Sequence, residues 1–144
     1  MSKLVLHPQK YVSDAKAIKD ALAAHDIHGA IMLDGEYRVL PESEMLQCVK
    51  ATHTDAIKYQ PEIADCDKIA RAMWARIPLM FGINSVGLFA DFAGRHCFCL
   101  VLVKPDDNSA PIVARLVEPQ TDAEVAFNSS PPYQIVQGKY LLLI

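Results

Sequence analysis

The chain reads as an α+β domain in which N-terminal helices pack on a C-terminal antiparallel β-sheet. Three observations predict this. Apolar residues recur at helical spacing through the first half, as at Ile18, Ala21 and Leu22 and again at Ile69, Met73 and Ile77. After Gly82 the texture changes to short alternating runs rich in Val, Leu and Phe, bounded by turn residues. Helices come first and strands follow, an order that favours α+β over alternating βαβ units. The sequence has 144 residues, 51% of them apolar, enough for one sizeable core. With no linker, repeat or low-complexity segment, residues 1–144 form a single domain.

Ser13 suits the N-cap of a first helix over about 14–25, whose apolar stripe is Ala17, Ile18, Ala21, Leu22 and Ala24. Residues 29–32 and 37–40, joined by the Asp34-Gly35 turn, read as a hairpin. Pro41 with Glu42 and Glu44 opens a second helix to about residue 52, turning Met45, Leu46 and Val49 inward. A third helix runs over about 65–76, with Ile69, Ala70, Met73, Trp74 and Ile77 on one face and Pro78 ending it. Strands follow at 85–92, 96–104, 112–118 and 133–144, the last with a hairpin at Gln137-Gly138-Lys139. Residues 105–109 and 128–132 are loops.

Charge and composition exclude several function classes. A net charge of −3 provides no basic footprint for nucleic acid. The longest apolar stretch, 77–92, is interrupted by Pro78, Gly82, Asn84, Gly87 and Asp91, so no run spans a bilayer. The apolar part of Met1-Ser2-Lys3-Leu4-Val5-Leu6-His7 is too short for a secretory signal, and His7 sits in an exposed-looking segment. Cys48, Cys66, Cys97 and Cys99 are too scattered for a disulfide scaffold and lack the spacing of a zinc site. Cys97 and Cys99 lie on one side of a strand and do not bridge each other. Reduced thiols in a cytoplasmic protein are expected.

The chemistry-bearing residues fall in three segments. Gln60-Pro61-Glu62-Ile63-Ala64-Asp65-Cys66-Asp67 leads directly into the third helix. Unpaired N–H groups and the dipole at a helix start favour a thiolate at Cys66, while Asp65 and Asp67 oppose it. Asp65 is also a natural N-cap, its carboxylate bonded to backbone donors. Gln60 is a chemically sensible donor to a developing oxyanion. His96 opens a strand on which His96, Phe98, Leu100 and Leu102 share one face, with Cys97, Cys99, Val101 and Val103 on the other. The small Ala93-Gly94 pair before it lets another element approach closely. Glu118 closes the next strand, where Pro119 stops it; if the two strands pair, its carboxylate bonds the far ring nitrogen of His96 and fixes its tautomer. Taken singly, each has a plainer reading: a small buried cysteine, a solvated amide, a strand-end histidine and a strand-end charge. Together they supply thiol, base, orienting group and oxyanion donor, the parts of nucleophilic acyl chemistry.

Three motifs carry a family resemblance. They are Asp65-Cys66-Asp67-Lys68, Ala93-Gly94-Arg95-His96 and Glu118-Pro119-Gln120-Thr121-Asp122. Over about residues 36–122 the chain resembles the papain-like domain of the Marasmius oreades agglutinin type and short bacterial and phage proteins related to it. The resemblance implies a papain-like fold and a cysteine protease acting on a peptide or protein substrate. In that reading Cys66, His96, Glu118 and Gln60 are catalytic. It also implies calcium activation, with Asp67, Gln120 and Asp122 as ligands, oxygen donors that suit a hard cation. Lys68 stands where the family pattern has a second aspartate, and Arg95 and Cys99 also depart from it. The alternative is a catalytically inactive module of the same fold that engages a partner protein.

Overall fold

The computed structural model describes residues 8–144. The expectations for Met1 to His7 lie outside the described residues. Strand β1 (Tyr11–Asp14) leads into helix α1 (Ala15–Ala23), followed by β2 (Glu36–Pro41) and α2 (Glu42–Ala51). After a short 3-10 turn, Thr54–Ala56, come α3 (Cys66–Phe81), β3 (Val86–Asp91), β4 (His96–Lys104) and β5 (Val113–Glu118). The elements β6 (Ala123–Val125) and β7 (Tyr140–Leu143) close the order.

The seven strands form one mixed sheet, which corrects the expected architecture. β4 is its centre, paired antiparallel with β3 on one edge and with β5 on the other. Beyond the start of β3, Leu40 and Pro41 of β2 pair with Val103 and Lys104 in parallel. β1 pairs antiparallel with β2, β7 with β3 and β6 with β5. Strands therefore come from both halves of the chain, and the sheet is not a purely antiparallel C-terminal one. Nor do the helices cover one side. Period-two alternation along β4 sends Phe98, Leu100 and Leu102 into a core with Ile18 and Leu22 of α1. It sends Cys99, Val101 and Val103 into a second core with Met45 and Val49 of α2 and Met73 and Ile77 of α3. The sheet is thus the middle layer and the dominant element, with α1 on one face and α2 and α3 on the other.

Local expectations are corrected in four places. Asp14, not Ser13, caps α1: its Oδ1 accepts from the Ala17 N–H at 2.8 Å, while Ser13 pairs with Tyr37 in the sheet. Residues 29–32 do not pair with β2, because the Ile31 N–H donates to Leu142 in β7 and the Leu33 N–H to Ile144 just after it. Pro78 lies inside α3, which continues to Phe81 and stops at Gly82 in the left-handed region, φ 67°. The expected long last strand is reduced to β7, and β6 was not foreseen.

Candidate functional site

The β3–β4 turn fixes where β4 begins. Asp91 Oδ1 accepts from the Ala93 N–H at 3.0 Å, and Arg95 takes φ 53° to bring the chain back into the sheet. Gly94 is required there. A Cβ on it would stand 2.4 Å from Asp91 Oδ2 and 2.4 Å from Pro132 Cβ. The close approach expected at Ala93-Gly94 is therefore made by the loop before Tyr133.

His96, the first residue of β4, and Glu118, the last of β5, meet across the strand pair. His96 Nε2 lies 2.6 Å from Glu118 Oε2. The same oxygen accepts from the Tyr133 hydroxyl at 2.8 Å, and Oε1 accepts from the Gln120 N–H at 3.1 Å. Burial pushes the Glu118 carboxyl up, but the hydrogen bonds from His96, Gln120 and Tyr133 outweigh it and hold it below its ordinary value. Burial, with Glu118 as its acceptor, pushes the Tyr133 phenol up to about 12. The His96 ring lies against Phe98 and edge-on to Tyr133, both on the α1 face of the sheet. Its Nδ1 makes no hydrogen bond among the described residues. Above this network opens a groove of about 390 Å³, lined by Gly94, Arg95, His96, Glu118, Gln120, Thr121, Pro132 and Tyr133.

Cys66 and Gln60 do not line that groove. Cys66 is the half-buried first residue of α3, on the other face of the sheet. The strand residue turned toward that face is Cys97, whose thiol is pushed up to about 11 by burial and then by the nearby Cys66 and Asp67. No hydrogen bond joins Cys66 to His96 among the described residues. Asp65 stands at the N-cap of α3 but makes no capping bond, and Lys68 Nζ lies 2.9 Å from its Oδ1. Asp67 is paired by Arg71 at 3.0 Å and by Lys68 at 3.3 Å. Gln60 is exposed in a turn closed by backbone bonds to Ala64.

The carboxylates implied as calcium ligands are otherwise engaged. Asp67 holds Arg71 and Lys68, and buried Asp122 accepts from Thr54 Oγ1 at 3.3 Å. Burial and Asp55 raise the Asp122 carboxyl, which disfavours its charged form. Gln120 contributes its backbone N–H to Glu118. Among the described residues no three His, Cys, Asp or Glu side chains are placed to hold a metal ion. The residues present do not fit the ion.

Sequence reading missed Tyr133 and the rim position of Thr121. Tyr133 follows Pro131-Pro132 in a loop that folds back on β4, and nothing in its neighbours announces that tie.

No protein-family model and no curated protein matches the chain. Solved structures match its fold. A structure described as a PSL1a–E64 complex superposes with a TM-score of 0.65 at 20% identity, over 92% of this chain and 51% of that one. A structure of Polyporus squamosus lectin, bound to the influenza-binding epitope Neu5Aca2-6Galb1-4GlcNAc, gives 0.68 at 18% identity, over 92% and 49%. The chain spans about half the length of each. These neighbours carry the name of a lectin, and that finding overturns the papain-like protease recognition. With it fall the cysteine hydrolase function, its peptide or protein substrate, and the alternative inactive module that engages a partner protein. At this identity the likeness establishes fold: the mixed sheet and its flanking helices are those of about half of the Polyporus squamosus lectin chain.

Proposed function

We propose that the chain is a binding domain whose ligand, an acidic oligosaccharide, is held in the groove over His96, Glu118 and Tyr133. The observation that carries this reading is the fixed polar floor of the groove. Glu118 holds the imidazole and the phenol in place, while the Arg95 and Gln120 side chains at the rim make no hydrogen bond among the described residues. A guanidinium takes a carboxylate through paired N–H donors, and the Gln120 amide and Thr121 hydroxyl suit sugar hydroxyls. The likeness to half of a lectin solved with a sialylated trisaccharide supports the ligand class. The test is calorimetric and NMR titration with Neu5Aca2-6Galb1-4GlcNAc and with its asialo disaccharide. Saturable binding of the trisaccharide that shifts groove resonances is expected, weakened roughly tenfold in Arg95→Ala, the scale of one charge-assisted contact. Absence of saturable binding, or shifts confined to another surface, would overturn it.

A second reading concerns the thiol and rests on a different observation. Cys66 sits among the unpaired N–H groups of the α3 start, and both acidic neighbours that oppose a thiolate are paired by Lys68 and Arg71. We propose that Cys66 is a reactive thiol, with the exposed Gln60 amide as a hydrogen-bonding partner for what it captures. The neighbour described as a complex with E64 supports E64 as the probe. One E64 per chain by intact mass is expected for the wild type and none for Cys66→Ala. An unmodified wild type would sink this reading. The cysteines Cys48, Cys66, Cys97 and Cys99 are all free, which supports a reducing, cytoplasmic setting. No helix among the described residues is long and apolar enough to cross a membrane.

A further inference from the structure

We propose that Cys66 and Cys97 form a reversible disulfide that pins the start of α3 to the start of β4, making this corner a redox-sensitive modification site. The register of the helix on the strand carries the inference. Cys99 Sγ donates to the Ala70 carbonyl at 3.3 Å, so at that level the helix backbone lies within one short side chain of β4. Four residues back along α3 is Cys66, about 6 Å away at ~1.5 Å per residue. Two residues back along β4 is Cys97, about 6.6 Å away at ~3.3 Å per residue. The two steps match in length, and the two thiols therefore face each other one level from the Cys99–Ala70 contact. Cys97 points the right way, since it packs with the α2–α3 core together with Cys99. A disulfide needs roughly 4.4–6.8 Å between Cα atoms, so the bridge is expected to draw the first turn of α3 against β4.

Both sulfurs are half-buried rather than sealed, unlike Cys48 and Cys99, so a small oxidant reaches them. The influence of Cys66 on the Cys97 thiol is a second sign of their proximity. Written in full, the Cys66 thiolate attacks a peroxide oxygen, the O–O bond breaks and hydroxide leaves, giving the sulfenic acid. The Cys97 thiol then displaces that oxygen from sulfur, forming the S–S bond and releasing water. Sulfur is oxidised by two electrons and the peroxide is reduced. A dithiol reductant such as thioredoxin reverses it. In the bridged form Cys66 has no thiolate to attack an electrophile, so the site is switched off.

The experiment uses the whole chain. The reduced protein is treated with hydrogen peroxide, and remaining thiols are alkylated and counted by intact mass. Peptide mapping follows without reduction. The expected result is loss of two of the four alkylatable thiols, a linked pair of peptides holding Cys66 and Cys97, and full recovery with dithiothreitol. Cys97→Ser and Cys97→Ala should instead leave a Cys66 sulfenic acid that dimedone traps, and Cys48→Ala should bridge as the wild type does. Four free thiols after oxidation, or a bridge between other cysteines or between chains, would overturn the proposal. E64 labelling of the reduced protein separates it from the reactive-thiol reading. Labelling without a bridge sinks the disulfide alone, and a bridge without labelling sinks that reading alone.

Discussion

Glu118 is the residue on which the groove depends, because one carboxylate serves three donors. Glu118→Gln keeps the size but removes the charge, so each bond loses its charge assistance. We expect a loss of about 1.5–3 kcal/mol in urea unfolding, and a lower Tyr133 titration midpoint by absorbance at 295 nm. An unchanged tyrosine midpoint would separate the two groups. The pH dependence follows from the direction of the Glu118 shift. A carboxyl held lower in the folded state than in the unfolded one stabilises above its unfolded pKa, and the contribution disappears as pH falls through the folded value. Tyr133 works in the opposite range. Its phenol is raised to about 12, so its contribution is complete below ~10 and is lost as pH rises from there to about 12. With Asp67 and Asp122 engaged by protein groups, EDTA is expected to leave the thermal midpoint unchanged. A fall of several degrees would mean that these oxygens hold an ion after all. His96 and Glu118 were legible as a pair because strand ends and residue types are local signals. Tyr133 was not, since its tie to Glu118 depends on a turn in which its N–H bonds the Ser130 carbonyl at 2.7 Å.

Among the elements, the β3–β4 turn decides whether the groove exists. Gly94→Ala puts a methyl where Pro132 and Asp91 already stand. The loop has to move, and we expect about 1–3 kcal/mol of destabilisation, together with loss of trisaccharide binding. Binding retained at full strength would mean that the groove does not use the Pro132–Tyr133 wall. Helix α3 illustrates where element boundaries could be read and where they could not. Its start was visible at Asp65-Cys66, yet Pro78 reads as a stop and is not one. Proline removes one helical N–H, a local cost, whereas Ile77 and Phe81 gain burial in the core and Gly82 closes the helix onto the Pro78 carbonyl at 2.8 Å. Strand β1 is illegible for a related reason, as is the pairing of β2. Four residues, Tyr11–Asp14, carry too short an alternation to register against the cap signal at Ser13 and Asp14. The parallel partner of β2 lies more than sixty residues downstream, beyond any local pattern.

At the scale of the molecule, β4 belongs to both cores, and this ties the fate of one face to the other. Phe98 is fully buried against Phe89 on the α1 face, their centroids 4.8 Å apart, while Met73 is fully buried on the α3 face. Two cores on opposite sides of a sheet can unfold separately when each has its own strands. Here they share the residues of one strand in strict alternation, so disordering β4 for one core exposes the other. The alternation itself was plain in the sequence from Phe98 to Val103, but the parallel entry of β2 and the split of helices between faces arise from long-range pairing. We therefore expect one cooperative denaturant transition. Phe98→Ala should cost about 3–5 kcal/mol and Met73→Ala about 2–5 kcal/mol, each moving the same midpoint by far-UV circular dichroism and by Trp74 fluorescence. Two resolved transitions, or a variant that shifts one probe and leaves the other, would show the faces to be independent and β4 to be no more than a boundary between them.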